Sequence, residues 1–199
     1  MTRLIDLIGS YGVFEAVPAS LAAAAVYTVI RVVLIKNGLL RRKPPLSEAA
    51  GVLLAGYIAA LVVIVWASRW TTWDNFVYMI SNYKYLWQGG HYYVNNGRIA
   101  RFFSDRLMEY ERFEVLANVA LFVPLGLLLP VFWEKLGWWR TDLICLGTTC
   151  VIELVQPLVG GIGDLDDIIA NTLGGIIGCA LAKSAAAVGK CVKNRKKSG

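Results

Sequence analysis

Near the carboxyl end of the chain, residues 163–178 read GDLDDIIANTLGGIIG. Three aspartates, Asp164, Asp166 and Asp167, stand within four residues, and the chain then becomes apolar and rich in glycine. An ionisable side chain inside a bilayer costs roughly 2.5–3.5 kcal/mol even on the most lenient insertion scales. Acids at the mouth of an apolar helix therefore need partners, and other parts of the chain have to supply them.

The composition is typical of an integral membrane protein. Of the 199 residues, 57% are hydrophobic and only 17% are charged, whereas a soluble domain has about 25% charged residues. The apolar residues form runs that approach the ~20 residues a helix needs to cross a hydrocarbon core ~30 Å thick. We therefore predict an all-α integral membrane protein, a single domain over residues 1–199, with about five transmembrane helices. Their expected bounds are 14–35, 49–67, 115–133, 143–159 and 167–183.

Lysine and arginine in the short connections predict the orientation, because positively charged loops stay in the cytoplasm. The connection 36–45 carries four basic residues and no acid, and the basic tail 183–199 carries six and no acid. Lys135 and Arg140 add to the connection between the third and fourth spans. In a cytoplasmic membrane these regions share the inner side, which places the N-terminus outside and the C-terminus in the cytoplasm. The net charge of +6 then reflects topology and attraction to anionic membrane lipids, and we expect no nucleic-acid partner.

One long region outside the predicted spans, residues 69–114, is crowded with aromatic residues and balanced in charge. Amphipathic aromatic side chains favour the membrane–water interface. We therefore expect this extracytoplasmic loop to lie on the outer surface, with short interfacial helices near 75–81 and 98–112. Residues 1–12 are too weakly hydrophobic for a cleavable signal peptide and are expected to form another interfacial segment.

Polar residues of three predicted spans fall at one depth of the membrane. Residues three, four and seven apart share a helix face, which groups Asp164, Asp167 and Asn171 in the fifth span and pairs Glu153 with Gln156 in the fourth. An asparagine at the start of the third span has the same depth, and at ~1.5 Å rise per residue each polar group lies within about 10 Å of the outer boundary. We therefore predict an acidic cleft in the outer half of the membrane. Its expected ligand-binding residues are Asn118, Glu153, Gln156, Asp164, Asp167 and Asn171.

A purely structural explanation exists for most of these residues. Asp164 followed by Asp167 suits a helix N-cap with an acid in the first turn, where the helix dipole favours negative charge. The amides suit hydrogen bonds between helices, and Gly174 with Gly178 forms a GxxxG pair that lets a neighbouring helix approach closely. Taken one at a time, these residues fit a structural role as well as a functional one.

Two acids are harder to interpret in this way. Glu153 lies in the middle of a predicted helix, so it is not a cap, and its charge or proton requires a partner. Asp166 points away from the helix face that carries Asp164 and Asp167, so its membership of the cleft is left open.

Three motifs, taken in order, resemble the VanZ-like family. They are Asn118-x3-Phe122-x-Pro124-x-Gly126, Glu153-x2-Gln156 and Asp164-x2-Asp167-x3-Asn171-x2-Gly174, all within residues 114–178. The resemblance implies a multi-span membrane protein associated with resistance to glycopeptide antibiotics, teicoplanin more than vancomycin. It also implies structural roles for Phe122, Pro124, Gly126, Gly174 and Gly178.

The chain departs from the family pattern at one position. In the family an arginine commonly stands about three residues before the first aspartate of the third motif, and Gly161 is found there in this chain. If that arginine pairs with a carboxylate or a substrate phosphate, this chain has to use another cation or bind something different.

Three functions remain open at this point. The favoured one is binding of a glycopeptide antibiotic, a lipid or a lipid-linked cell-wall precursor at the acidic cleft. The alternative is an intramembrane enzyme that modifies such a precursor, with Glu153 and Asp167 as catalytic residues. Apart from a divalent cation held by Asp164 and Asp167, no cofactor is expected. A transporter is a remote third option, which would need a dimer through Gly174 and Gly178; the oligomeric state is not predicted.

Overall fold

A computed structural model describes residues 13–66, 77, 81, 92–93, 97–104, 108–159 and 162–198. Within these ranges the chain forms five α-helices: α1 (Val13–Lys36), α2 (Pro45–Val65), α3 (Glu109–Phe132), α4 (Trp138–Val155) and α5 (Leu165–Ser198). A 3₁₀ turn, Gln156–Val159, extends α4. Two-residue strands β1 (Tyr92–Tyr93) and β2 (Gly163–Asp164) pair in parallel, with Tyr92 opposite Gly163. The predicted all-α class is confirmed, and the expected interfacial segment 1–12 and most of the segment 75–81 lie outside the described residues.

Four of the described helices, α1, α2, α3 and α5, are long and apolar enough to cross a membrane. The remaining helix, α4, has 18 residues, which is about 27 Å at 1.5 Å per residue. It carries Arg140, Asp142 and Glu153 and lies beside α5 in the bundle. The protein is therefore a multi-pass membrane protein, and α4 is a fifth, less apolar helix of the bundle.

The helix bounds differ from the predicted ones at places where the chain is helical without being apolar. The helix α3 begins at Glu109, inside the predicted loop, where the side chain of Glu111 accepts the backbone N–H of Met108 at 3.0 Å and satisfies an otherwise orphaned donor. At the other end of the chain α5 continues to Ser198, because the tail is rich in alanine and lysine, which favour helix without being apolar enough to span. Residues 98–103 form turns rather than the expected short helix.

The helix α3 occupies the middle of the bundle. It packs against α2 on one side and α5 on the other, while α1 packs on α2 and α4 packs on α5. The apolar core is centred on Phe122, Leu125 and Leu129 of α3, which meet Leu54 of α2 and Cys145 of α4. Consecutive helices α3 and α4 therefore have little contact with each other, because α5 lies between them.

The contact between α3 and α5 is made by backbone against backbone. A β-carbon added at Gly174 would overlap the carbonyl of Val119, one at Gly178 would overlap the carbonyl of Val123, and one at Gly126 would overlap the backbone of α5. Small residues at these positions are what allow the close approach. The motif glycines thus serve packing within one chain. The face that a dimeric transporter was expected to use is already covered by α3.

The two remaining residues of the first motif also have structural roles. Phe122 is completely buried. Pro124 has no N–H and so leaves a backbone carbonyl one turn earlier without its helical donor. Beside that gap, the hydroxyl of Tyr57 in α2 donates to the carbonyl of Leu121 at 2.6 Å. The hydroxyl of Tyr57 and the backbone of Leu121 therefore form a polar link between α2 and α3 in the middle of the bundle.

The two ends of the bundle differ in charge. At the end that we call the basic end, α1 and α3 finish and α2 and α4 begin. There Lys43 donates to the carbonyl of Phe132 at 2.9 Å, and Arg31 pairs with Glu48 at 2.9 Å. At the opposite end, the acidic end, α3 and α5 begin and α4 finishes. The predicted polar residues all belong to the acidic end.

Candidate functional site

The carboxylate of Glu153 connects the end of α4 to the start of α5. Glu153 is 4% exposed, and its Oε2 accepts the backbone N–H of Asp164 at 3.0 Å. When the amide of Gln156 is oriented to satisfy both of its polar atoms, its nitrogen donates to the same Glu153 oxygen at 3.0 Å and to the carbonyl of Ile162 at 2.9 Å. The predicted meeting of Glu153, Gln156 and Asp164 therefore occurs, and it supports the turn between the two helices.

A residue that the motifs do not contain lies at the centre of the acids. The Nη2 of Arg98 donates to Asp164 Oδ2 and to Asp167 Oδ1, both at 2.7 Å, and its Nη1 donates to Glu114 Oε2 at 2.9 Å. The backbone N–H of Arg98 also donates to Asp166 Oδ2 at 2.7 Å. We refer to these five residues as the Arg98 cluster. It joins the loop that precedes α3 to α3, β2 and α5 at one point.

The guanidinium of Arg98 is the positive charge of this cluster. Its side chain is only 9% exposed, and burial by itself lowers the pKa of a cation. The attraction of Asp167, Asp164 and Glu114 outweighs that penalty, so the pKa of Arg98 is raised above its ordinary value. Arg98 is therefore a permanent cation, and it is the partner that the acids at the mouth of α5 require.

The two oxygens of Asp164 have different tasks. Its Oδ1 accepts the backbone N–H of Asp166 at 2.9 Å, just where α5 begins at Leu165, while its Oδ2 accepts Arg98. The capping role considered from the sequence is therefore present, and the same side chain also pairs with Arg98.

Asp166 is a full member of the cluster, although its position on the helix face argued against this. It is 7% exposed and bonded to the loop through Arg98. Asp164 precedes α5 and lies in β2, so the helical spacing counted from Asp164 does not apply at this point of the chain.

The two asparagines have separate environments. The side chain of Asn118 on α3 is within hydrogen-bonding reach of the Asp167 carboxylate. The side chain of Asn171 turns instead to α4, where its nitrogen donates to the hydroxyl of Thr149 at 2.9 Å. Its oxygen is buried and has no hydrogen-bond partner among the described residues. Asn118 thus lines the cluster, whereas Asn171 joins α5 to α4 one turn further in.

A divalent cation at Asp164 and Asp167 would have to share this space with a guanidinium. Both carboxylates accept hydrogen bonds from the same nitrogen of Arg98. Within the described part of the chain, no group of three or more His, Cys, Asp or Glu side chains is arranged to hold a metal ion.

The solvent reaches only one edge of the cluster. The side chains of Asp164 and Arg98 are 6% and 9% exposed, whereas those of Asp167 and Glu114 are 20% and 39% exposed. The predicted acidic cleft is therefore filled by Arg98 from within. Glu114 and Asp167, together with the half-buried Asn118, form what we call the open edge.

Arg98 supplies the other cation that the sequence requires. It lies in the loop before α3, outside the three motifs. The signal was indirect: an acidic motif with Gly161 in place of the expected arginine, and a charge-balanced loop that contains several basic residues. Spacing within a helix does not identify the arginine of a loop that lies 66 residues before its aspartate.

Comparison with known proteins agrees with this architecture. A family model described as VanZ/LLP1 matches residues 52–187. The chain belongs to the VanZ/LLP1 family. The matched region takes in most of α2 and α5 and the loop with Arg98, so it is wider than residues 114–178, which hold the three motifs.

One curated relative extends this assignment. The chain is 35% identical over 69 residues to Protein VanZ of Enterococcus faecium, a match that covers 34% of this chain and 43% of that protein. The match thus spans less than half of the relative's length. No solved structure matches the chain.

Proposed function

We propose that this VanZ/LLP1 protein contributes to resistance to glycopeptides, mainly those of the teicoplanin type, or to homeostasis of the cell envelope. In this proposal it binds a cationic or hydrogen-bonding group of an antibiotic, lipid or lipid-linked cell-wall precursor at the open edge of the Arg98 cluster. The observation that carries the proposal is a set of carboxylates gathered around one buried guanidinium, with two of them still accessible to solvent.

The charges favour a cationic group at the open edge. Four carboxylates, those of Glu114, Asp164, Asp166 and Asp167, contact Arg98 through its side chain or its backbone N–H. One guanidinium neutralises only part of their negative charge, so a second donor group is attracted there. In a partly desolvated site a charge-assisted hydrogen bond is roughly twice as strong as a neutral one.

The proposed orientation puts the cluster where such a ligand is found. The acidic end lies opposite the basic end, whose lysines and arginines favour the cytoplasmic side. We therefore infer that the acidic end faces outward, at the level of the outer leaflet, where lipid-linked cell-wall precursors are exposed and glycopeptides act.

Expression in a susceptible bacterium tests the proposal. Teicoplanin and vancomycin sensitivity is measured for the wild type, Asp167→Asn and Glu114→Gln, with protein levels matched by immunoblot. Glu109→Gln is the matched control, because Glu109 lies exposed in the same first turns of α3 and outside the cluster. We expect the wild type and the control to protect against teicoplanin and the two cluster variants to lose protection. Equal protection by all four proteins contradicts binding at the open edge.

A titration in lipid nanodiscs separates binding from indirect effects. The wild-type protein is titrated with teicoplanin and with a lipid-linked cell-wall precursor, and Asp167→Asn is titrated alongside. We expect the affinity for one of these ligands to fall in the variant by about tenfold or more, because loss of one charged hydrogen bond costs roughly 1.5–3 kcal/mol. Affinities that are the same in both proteins would contradict binding at the open edge.

A further inference from the structure

A second recess lies away from the Arg98 cluster, in the part of the bundle that crosses the membrane. It is a groove with a cavity volume of ≈ 680 Å³, lined by side chains of α2, α3 and α4. We call it the lateral groove. Its volume is in the range of pockets that hold small molecules, about 300–1,000 Å³. Representative lining residues are Leu54, Leu61, Leu125, Leu129 and Val151.

The wall of the lateral groove is apolar even at Thr148, which is a polar residue. The hydroxyl of Thr148 donates to the carbonyl of Ile144 in its own helix at 2.7 Å, so it is satisfied without a ligand. Gly147, one residue earlier, leaves open space, since a β-carbon placed there would meet no atom within 4 Å. If this groove were empty, its lining atoms would lose dispersion contacts. In a membrane, the hydrocarbon chains of lipids are available to fill it.

The groove extends towards both ends of the bundle. Trp66 caps the end of α2 and Trp133 caps the end of α3, and both tryptophans line the groove. Because α2 ends at the acidic end and α3 at the basic end, these two rings lie at opposite membrane surfaces, as tryptophan prefers. The groove is thus long in the direction of an acyl chain.

Positive charge flanks the groove at the basic end. The ammonium of Lys43 lies 5.8 Å from the ring of Trp133, a lining residue. Arg140 is exposed and stands four residues before Ile144 on α4, so the two share one helix face. Glu134 is the acid nearest in sequence to Trp133, and it contacts the hydroxyl of Ser47 at 3.3 Å. At the acidic end, by contrast, an anionic headgroup would meet carboxylates.

We propose that the lateral groove binds one acyl chain of an anionic glycerophospholipid, with the phosphate of its headgroup beside Lys43 and Arg140. The apolar wall selects the chain, and the basic flank selects the charge of the headgroup. This site is separate from the open edge of the Arg98 cluster, so it stands or falls independently of the proposed function.

Native mass spectrometry of the detergent-extracted full chain tests the site. The protein is incubated with phosphatidylglycerol and phosphatidylcholine of identical chains, and the retained lipid is counted. We expect one retained phosphatidylglycerol on the wild type, and about tenfold less on Gly147→Leu, whose side chain fills the groove in place of a few buried methylenes of the lipid. Gly189→Leu is the matched control, because Gly189 is a helical glycine with equally open surroundings and lies outside the groove.

A second variant tests the headgroup. Arg140→Gln should leave a retained chain but reduce the preference for phosphatidylglycerol over phosphatidylcholine by about fivefold, the effect of one basic residue near an anionic surface. Equal lipid retention by the wild type and Gly147→Leu would overturn the proposal. So would a wild type that retains no lipid, which is the outcome if a segment of the chain itself fills the groove.

Discussion

The Nη2 of Arg98 lies 2.7 Å from Oδ2 of Asp164, although the two residues are 66 positions apart in the chain. Both side chains are nearly inaccessible to solvent. Ion pairs of this kind are costly to break from one side, because the remaining charge stays buried without its partner. The loop that carries Arg98 is therefore fixed to the start of α5 by this ion pair. The pair neutralises the buried guanidinium of Arg98 and the buried carboxylate of Asp164 together.

Arg98→Ala is expected to destabilise the protein by roughly 3–5 kcal/mol, the usual cost of leaving buried charges uncompensated. Unfolding in mixed detergent–SDS micelles measures the change. Arg101→Ala is the control, since Arg101 is an exposed arginine in the same turn. A loss of stability as small as that of the control would mean that Arg98 is not the structural cation of the cluster.

An arginine at position 161 is expected to compensate for the loss of Arg98. Gly161 stands three residues before Asp164 in sequence, where the resemblance to the family calls for an arginine. The double variant Arg98→Ala with Gly161→Arg should recover at least half of the lost free energy of unfolding. The single variant Gly161→Arg is measured beside it, because an equal gain in the wild-type background would indicate a general effect of charge instead of replacement.

Gly174→Ala is expected to lower the free energy of unfolding more than the addition of one methyl group suggests. The added methyl would overlap the carbonyl of Val119 on α3, and backbone has less freedom to move aside than a side chain. Overpacking of this kind costs about 1–3 kcal/mol. Gly189→Ala, on the same helix in open surroundings, should be neutral or slightly stabilising, since alanine favours helix over glycine. Similar unfolding curves for both variants would contradict the close contact of α3 and α5.

Two substitutions of Glu153 should separate the role of its hydrogen bond from the role of its charge. Glu153→Gln retains an oxygen that accepts the backbone N–H of Asp164, whereas Glu153→Ala leaves that buried donor without its acceptor. We expect the alanine variant to lose roughly 1–3 kcal/mol and the glutamine variant to lose less. An equal loss in both variants would show that the negative charge of Glu153 matters more than the bond to Asp164.

The orientation can be tested with a thiol that is already present. Cys191 is exposed, whereas Cys145 and Cys179 are buried. After Cys150→Ser removes the half-buried thiol, a membrane-impermeant maleimide should label Cys191 only in permeabilised cells. Arg101→Cys, in the exposed turn of the loop, should be labelled in intact cells. Labelling of Cys191 in intact cells would reverse the proposed topology.

Much of this architecture could be predicted from the sequence, because its causes are local. Long apolar runs identify the spans, and spacing along a helix places Asp167, Asn171 and Gly174 on one side of α5. The preference of glycine for close helix contacts also holds, with Gly174 packed on α3. These inferences depend only on neighbours within a few turns of the same helix.

The identity of the central cation could not be predicted in this way. Arg98 is one of several basic residues in an aromatic loop, and only the three-dimensional path of the chain brings it to Asp164 and Asp167. The doubt about Asp166 has a related cause, since helical spacing was counted from Asp164, which precedes the helix. Asn171 falls on the expected helix face, but its partner on that face is Thr149 of the neighbouring helix.

The position of α5 between α3 and α4 has a consequence for biosynthesis. While the ribosome is still making the first four helices, the surface of α3 that will receive Gly174 and Gly178 remains uncovered in the lipid, and α4 lacks the helix with which it makes most of its contacts. The bundle closes only after the fifth helix has emerged and slid into the gap. A chain truncated before Gly174 would therefore lack the glycines that close α5 against α3.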